Sequence, residues 1–175
     1  MDRKLLDLEP NFLTIKSLRY IKNGDVLDLG CGEGRDSVFL SLEGFNVEAI
    51  DSSSNSIHNT NQLSKIYNVN LELKKENINK ITFDKKYDLI LCNFVLHFLK
   101  KDKIYNIINK IKNSTKNNGI NVFSVLTEKN KNKFEYLFKE KELKKLYLDW
   151  EVLFKKEDNL KGIEYLIVRN SNYRK

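Results

Sequence analysis

VLDLGCGEGRDSVFLSLEGFNVEAIDSSSNSI, residues 26–57, decides how the rest of this chain is read. An apolar strand with Val26, Leu27 and Leu29 runs into the turn Gly30-Cys31-Gly32-Glu33-Gly34. An amphipathic helix over 35–43 follows, closed by Gly44, and a second strand over 47–50 ends on Asp51. Glycines at a strand-to-helix turn let a ligand approach the backbone closely, and an acid about 20 residues later can hold ribose hydroxyls. The stretch therefore indicates a ligand that contains adenosine.

The spacing says which one. A dinucleotide site uses G-x-G-x-x-G, whose second glycine faces a pyrophosphate. Here the glycines fall as G-x-G-x-G, and Asp28 sits two residues before the first. A carboxylate below the turn repels a pyrophosphate and suits a ligand with a charged amino group. S-adenosylmethionine has that group, a ribose and an adenine, and no phosphate. The competing interpretation is a turn that needs glycine and binds nothing.

At 175 residues the chain has the length of one domain with a full core, and its 41% hydrophobic content excludes general disorder. We expect one domain over 1–175, with an N-terminal helix and lid over 1–23, a cofactor-binding core over 24–127, and a substrate-side cluster with a closing hairpin over 128–175. No apolar run is long enough to span a bilayer, and Met1-Asp2-Arg3-Lys4 leads into no signal-peptide core. Two cysteines, Cys31 and Cys92, make neither a disulfide framework nor a zinc site, so no metal is expected and a cytoplasmic location is. Both fall at expected strand ends, as small residues in a crowded site. The net charge of +7 comes from lysines scattered through every segment. With many asparagines and isoleucines and the single Pro10, it fits an AT-rich genome as well as RNA binding, and implies weak, salt-sensitive polyanion affinity.

Strands and helices alternate, which predicts a parallel sheet covered on both faces. Helices are expected over 11–21, from a Ser53 cap to about Tyr67, and over 102–114, where Ile104, Ile107, Ile108 and Ile111 share one face. Strands are expected over 70–74, 87–92 and from Gly119 to about Thr127. Beyond a polar loop, Phe134, Leu137 and Phe138 cluster, and Leu143, Leu146, Tyr147 and Trp150 follow at helical spacing. Strands over 150–156 and 160–169 close the chain as a hairpin, which implies a mixed sheet.

These residues resemble the class I S-adenosylmethionine-dependent methyltransferases over nearly the whole length. The resemblance implies a Rossmann-like α/β fold, a seven-stranded sheet of order 3-2-1-4-5-7-6 with strand 7 antiparallel and helices on both faces. The nearer similarity is to the tellurite-resistance branch, through Gly34-Arg35-Asp36-Ser37 with Leu40, then Gly44-Phe45-Asn46-Val47-Glu48-Ala49-Ile50-Asp51, and 83–99. It returns at Phe138-Lys139-Glu140, Glu142-Leu143, Tyr147 and Trp150. The resemblance implies that Asp28, Gly30, Cys31, Gly32 and Gly34 hold the methionine part, and that Asp51 and Ser52 meet the ribose. Asn77, where relatives often have aspartate, and the Ile78 N–H would meet the adenine. Cys92, Asn93 and Phe94 would open into the methyl-transfer site, and Pro10 and Asn11 would close over it. Two departures matter. The branch often carries histidine and arginine in the last hairpin, and 157–168 has neither. Asp36 stands where asparagine is usual, and reads as a helix N-terminal carboxylate.

Methyl transfer is an in-line displacement, so the protein chiefly positions donor and acceptor. Asn93 is a candidate to orient substrate. His97 is either a base near the pocket or a packing residue, and His58 reads as surface. The sequence lacks an Asp/Asn-Pro-Pro-aromatic motif after the fourth strand and a Pro-Cys pair, which argues against nucleic-acid amino and cytosine-C5 chemistry. Three functions are weighed: a small-molecule methyltransferase, monomeric or weakly dimeric, that turns S-adenosylmethionine into S-adenosylhomocysteine; an RNA-directed one; and a cofactor-binding partner or sensor without catalysis. Acceptors of the first are thiols, chalcogen oxyanions, or small oxygen or nitrogen nucleophiles.

Overall fold

A computed structural model describes residues 8–171. The start of the chain, including Met1-Asp2-Arg3-Lys4, lies outside the described residues. The elements are α1 (Phe12–Ser17), β1 (Asp25–Leu29), α2 (Arg35–Leu42), β2 (Asn46–Asp51), α3 (Ser54–Ile66), β3 (Glu72–Lys75), β4 (Tyr87–Asn93), α4 (Lys101–Asn113), β5 (Thr115–Leu126), α5 (Glu142–Lys145), β6 (Glu151–Asp158) and β7 (Ile163–Arg169). A short 3-10 turn, Leu96–Phe98, links β4 to α4.

The seven strands form one sheet of order β3-β2-β1-β4-β5-β7-β6. β1 to β5 pair in parallel, and β7 runs antiparallel to both β5 and β6. This is the class I methyltransferase arrangement. The central strands are apolar on both sides because each face is covered. One face packs against α4 through Ile104, Ile107, Ile108 and Ile111, joined by Phe138, Leu143, Tyr147 and Trp150. The other carries Leu13 of α1 and Val38, Phe39 and Leu40 of α2. The apolar stripe expected in α4 is core.

Local chemistry sets the ends. Asn11 caps α1 by accepting from the Leu13 N–H at 2.9 Å, and Ser53 caps α3 by accepting from the Ser56 N–H at 3.3 Å. The final hairpin turns later than its composition suggests. Glu157 and Asp158 still belong to β6. Asp158 accepts the N–H groups of Leu160 and Lys161, and this side-chain turn carries the reversal on to Gly162, with Leu160 exposed at the tip. β5 starts four residues before Gly119, because Thr115 already pairs with Tyr87 across a register shift. The helical spacing from Leu143 to Trp150 gives only the short α5 and turns, yet Leu143, Tyr147 and Trp150 are buried.

Candidate active site

A cleft of about 710 Å³ opens at the carboxyl ends of β1, β2 and β4, where open α/β sheets bind ligands. Its floor is the glycine turn. Gly30 has φ +79°, and a Cβ there would collide with the Val95 side chain. Gly32 has φ +56° and nothing within 4 Å of where a Cβ would stand, so its open side is free for a ligand. Gly34 lies outside the cleft wall, and Thr60 fills the space beside it.

The turn is fastened to β2 by its own N–H groups. Gly30 and Cys31 both donate to the Ile50 carbonyl, at 2.7 and 3.0 Å. Gly32 donates to Asp51 Oδ2 at 3.0 Å, and Gly34 to the Cys31 carbonyl at 2.9 Å. The N–H groups of Gly30, Cys31, Gly32 and Gly34 are thus used internally, and the open side of Gly32 remains for a ligand. Asp51 also accepts from the Ser53 N–H at 2.8 Å through Oδ1, so each carboxylate oxygen has one backbone donor and a lone pair to spare.

Asp28 lies below the turn, 3% exposed, and accepts from Ser37 Oγ at 2.5 Å. Burial, followed by the nearby Asp36 charge, pushes its pKa up to about 7, while the Ser37 hydrogen bond pulls it down. Burial likewise pushes the Cys31 thiol up to about 12, so this cysteine is no nucleophile at neutral pH. Ser52, Asn77 and Ile78 line the far side of the cleft. The Asn77 side-chain oxygen accepts from the Asn79 N–H at 2.9 Å, which fixes its orientation.

At the other end, a polar node joins four segments. Asn93 donates through Nδ2 to Asp36 Oδ2 at 3.1 Å and to Thr14 Oγ1 at 3.3 Å. Its Oδ1 accepts from Ser124 Oγ at 2.8 Å. The Asn11 N–H donates to Asp36 Oδ1 at 2.7 Å. Asn93 lines the cleft with Nδ2 engaged and one Oδ1 lone pair to spare, and it ties α1 and α2 to β4 and β5. Asp36, read as a helix-end charge, is the centre of this node; burial raises its pKa, and the Asn11 and Asn93 hydrogen bonds oppose that. Ser124, a lone hydroxyl in the apolar stretch of β5, was the sequence signal for the node, and Thr14 gave none. Phe94 follows with φ +57°, a left-handed backbone that a bulky residue adopts at a cost, and lines the cleft with Val95, Phe98 and Leu99.

Two expected site residues are elsewhere. Cys92 is fully buried in the core on the face opposite Asn93, because successive side chains of a strand alternate. His97 is 3% exposed and packs against Phe98 and Phe134, with ring centroids 4.2 and 4.4 Å away. Its Nδ1 has no hydrogen-bond partner, and burial lowers its pKa, so the packing interpretation holds and the base is withdrawn. His58 is exposed, as expected. Among the described residues no group of histidine, cysteine and acids could hold a metal, and no helix is long and apolar enough to cross a membrane.

Comparison with known proteins gives the family. Residues 11–164 match the model of the tellurite resistance protein TehB family. The chain is 34% identical over 143 residues to a probable S-adenosyl-L-methionine-dependent methyltransferase TehB of Haemophilus influenzae, covering 79% of this chain and 50% of that protein. It thus spans about half the length of the curated relatives it matches. The crystal structure of TehB from Haemophilus influenzae superposes with a TM-score of 0.83 at 30% identity, over 91% of this chain and 62% of that one. The N-methyltransferase NodS of Bradyrhizobium japonicum, in complex with S-adenosyl-L-homocysteine, shares the fold at 16% identity and a TM-score of 0.76, over 95% and 84% of the two chains. With its sheet order, its glycine turn and a family match over most of its length, the chain belongs to the TehB family of class I methyltransferase-fold proteins.

Proposed function

We propose that the protein is an S-adenosylmethionine-dependent methyltransferase acting on a small neutral or cationic nucleophile. The observation that carries the reading is Asp28. A buried carboxyl opens onto the cleft with a hydroxyl as its partner and no basic side chain acting on it among the described residues. Such an acid is stabilised by a cationic ligand, and the amino group of the cofactor is one. The open side of Gly32 leaves room for the ligand where a side chain would block it. The spare lone pairs of Asp51 suit two ribose hydroxyls, and Ile78 offers an apolar contact for adenine.

When bound, the cofactor supplies a methyl group already activated on its sulfonium. The chain's own contribution is position and exclusion of water. Asn93 and Asp36 hold the Asn11 lid segment over the cleft, and Phe94, Val95, Phe98 and Leu99 form an apolar wall on the acceptor side. A cleft of about 710 Å³ leaves space for a small acceptor beside a drug-sized ligand. Its walls carry Glu9, Asp28, Glu33, Asp36, Asp51 and Glu76 against Arg35 alone, and Arg35 pairs with Glu9 and Glu33. That field disfavours an oxyanion acceptor.

Calorimetry with S-adenosylmethionine tests the cofactor, and labelled methyl transfer to tellurite, selenite, small thiols, small amines and total RNA tests the acceptor. No heat from folded protein would overturn the cofactor reading. Transfer to RNA or to the oxyanions alone would overturn the acceptor reading.

A further inference from the structure

A second, smaller cavity of about 190 Å³ lies where the end of β5 meets the β6–β7 hairpin. Glu164 lines it, 1% exposed, and neither carboxylate oxygen has a hydrogen-bond partner. Glu48 is the instructive contrast in the same sheet. It is also buried, but the Tyr87 hydroxyl and Lys74 Nζ each approach it to 2.9 Å, and Lys85 Nζ to 3.3 Å. Buried carboxylates are normally satisfied in this way, because an unpaired one keeps its full desolvation cost.

Lys155 Nζ forms an ion pair with Glu164 Oε1 at 3.7 Å, too long for a hydrogen bond, and donates instead to Glu157 Oε1 at 2.6 Å. Lys129 Nζ donates to Asn159 at 2.7 Å. Glu128, Glu140 and Glu157 line the same cavity, so its field is acidic, and Phe138 gives it one apolar wall. Burial holds the Glu164 pKa above its ordinary value, with Lys155 pulling the other way. Among the described residues no acids converge as metal ligands. Strand pairing also separates the cavity from the cofactor cleft. Glu164 is opposite Val125 and points to the α4 face, whereas Asn93 and Ser124 point to the α1 face.

We propose that this cavity is a binding site for a primary ammonium on a short alkyl stem, the ammonium donating to both oxygens of Glu164 and the stem lying on Phe138. An ammonium has three donors and no acceptor, which matches an acid with two empty oxygens. The site is independent of the methyl-transfer reading and needs no cofactor for its test.

The experiment is an amide-resolved NMR titration of the whole chain, in sodium buffer, with n-butylammonium and with n-butanol as its neutral counterpart. Expected are saturable shifts with butylammonium at the Thr127, Glu128, Phe138, Ile163 and Glu164 amides, and none with butanol. Glu164→Gln is expected to weaken butylammonium at least tenfold while leaving the amide spectrum of residues outside the cavity unchanged. Equal shifts with butanol, no saturable shifts, or equal affinity in folded Glu164→Gln would overturn the site, as would magnesium displacing butylammonium at equal concentration. If Glu164→Gln does not fold, the two ligands on the unaltered chain still decide the matter.

Discussion

Replacing Asp51 by alanine removes two things at once, and they can be measured apart. The carboxylate anchors the Gly32 and Ser53 N–H groups at 3.0 and 2.8 Å, and in the proposed complex it also accepts two ribose hydroxyls. Hydrogen bonds to a charged group contribute about 1.5–3 kcal/mol each. The side chain is half-buried in an open cleft, so water replaces part of what is lost and the lower end applies. Two bonds then come to about 3 kcal/mol, which is roughly a 100-fold loss of affinity for S-adenosylmethionine. The two freed N–H groups cost stability separately, about 1–2 kcal/mol in all, or several degrees of melting temperature for a chain of this size. Isothermal calorimetry reads the first effect and thermal unfolding the second. Asp51→Asn should fall between, because its one remaining oxygen cannot serve both loop and ribose. An Asp51→Ala protein that melts lower but binds within about threefold of the unaltered chain would refute the ribose assignment and leave only the loop anchor.

Gly32→Ala and Gly30→Ala should differ in kind. The first meets no neighbour and should cost about 1 kcal/mol of stability through its positive φ while abolishing cofactor binding, whereas the second collides with Val95 and should unfold far more readily, both read by thermal shift and calorimetry. Asp28 has a folded pKa raised from 3.8 to about 7, so the ligand-free protein binds the proton more tightly than the unfolded chain does. Its stability should therefore fall as pH rises across that window, and denaturant unfolding of Asp28→Asn should lose that slope. His97→Phe removes a buried, unpartnered nitrogen from a ring cluster, so the melting temperature should hold or rise and methyl transfer should stay within about twofold. A collapse of activity in a stable His97→Phe protein would restore the base.

The alternation of strands and helices was readable from apolar periodicity, as in α4, whereas the order of the strands came from the family resemblance. The glycine turn and Asp51 carried the cofactor end of the site in the same direct way. Cys92 was misplaced because at the end of β4 a shift of one residue moves a side chain to the opposite face, and the apolar run through Leu91 and Cys92 gives no alternation to fix that parity. His97 lies in the 3-10 turn after β4, whose direction no strand pattern sets. Asn93 lines the cleft, and the partners that hold it, Thr14, Asp36 and Ser124, come from three distant segments, which no local pattern links. The hairpin boundary slipped because Glu157 and Asp158 look like turn residues and are strand residues whose side chains face neighbours.

The node around Asp36 also bears on local stability. Through this one carboxylate the Asn11 backbone, α2 and the end of β4 are tied together. Asp36→Ala should therefore free the start of α1 to open on its own, read as faster amide hydrogen exchange at Asn11 while the amides of the central strands keep their protection.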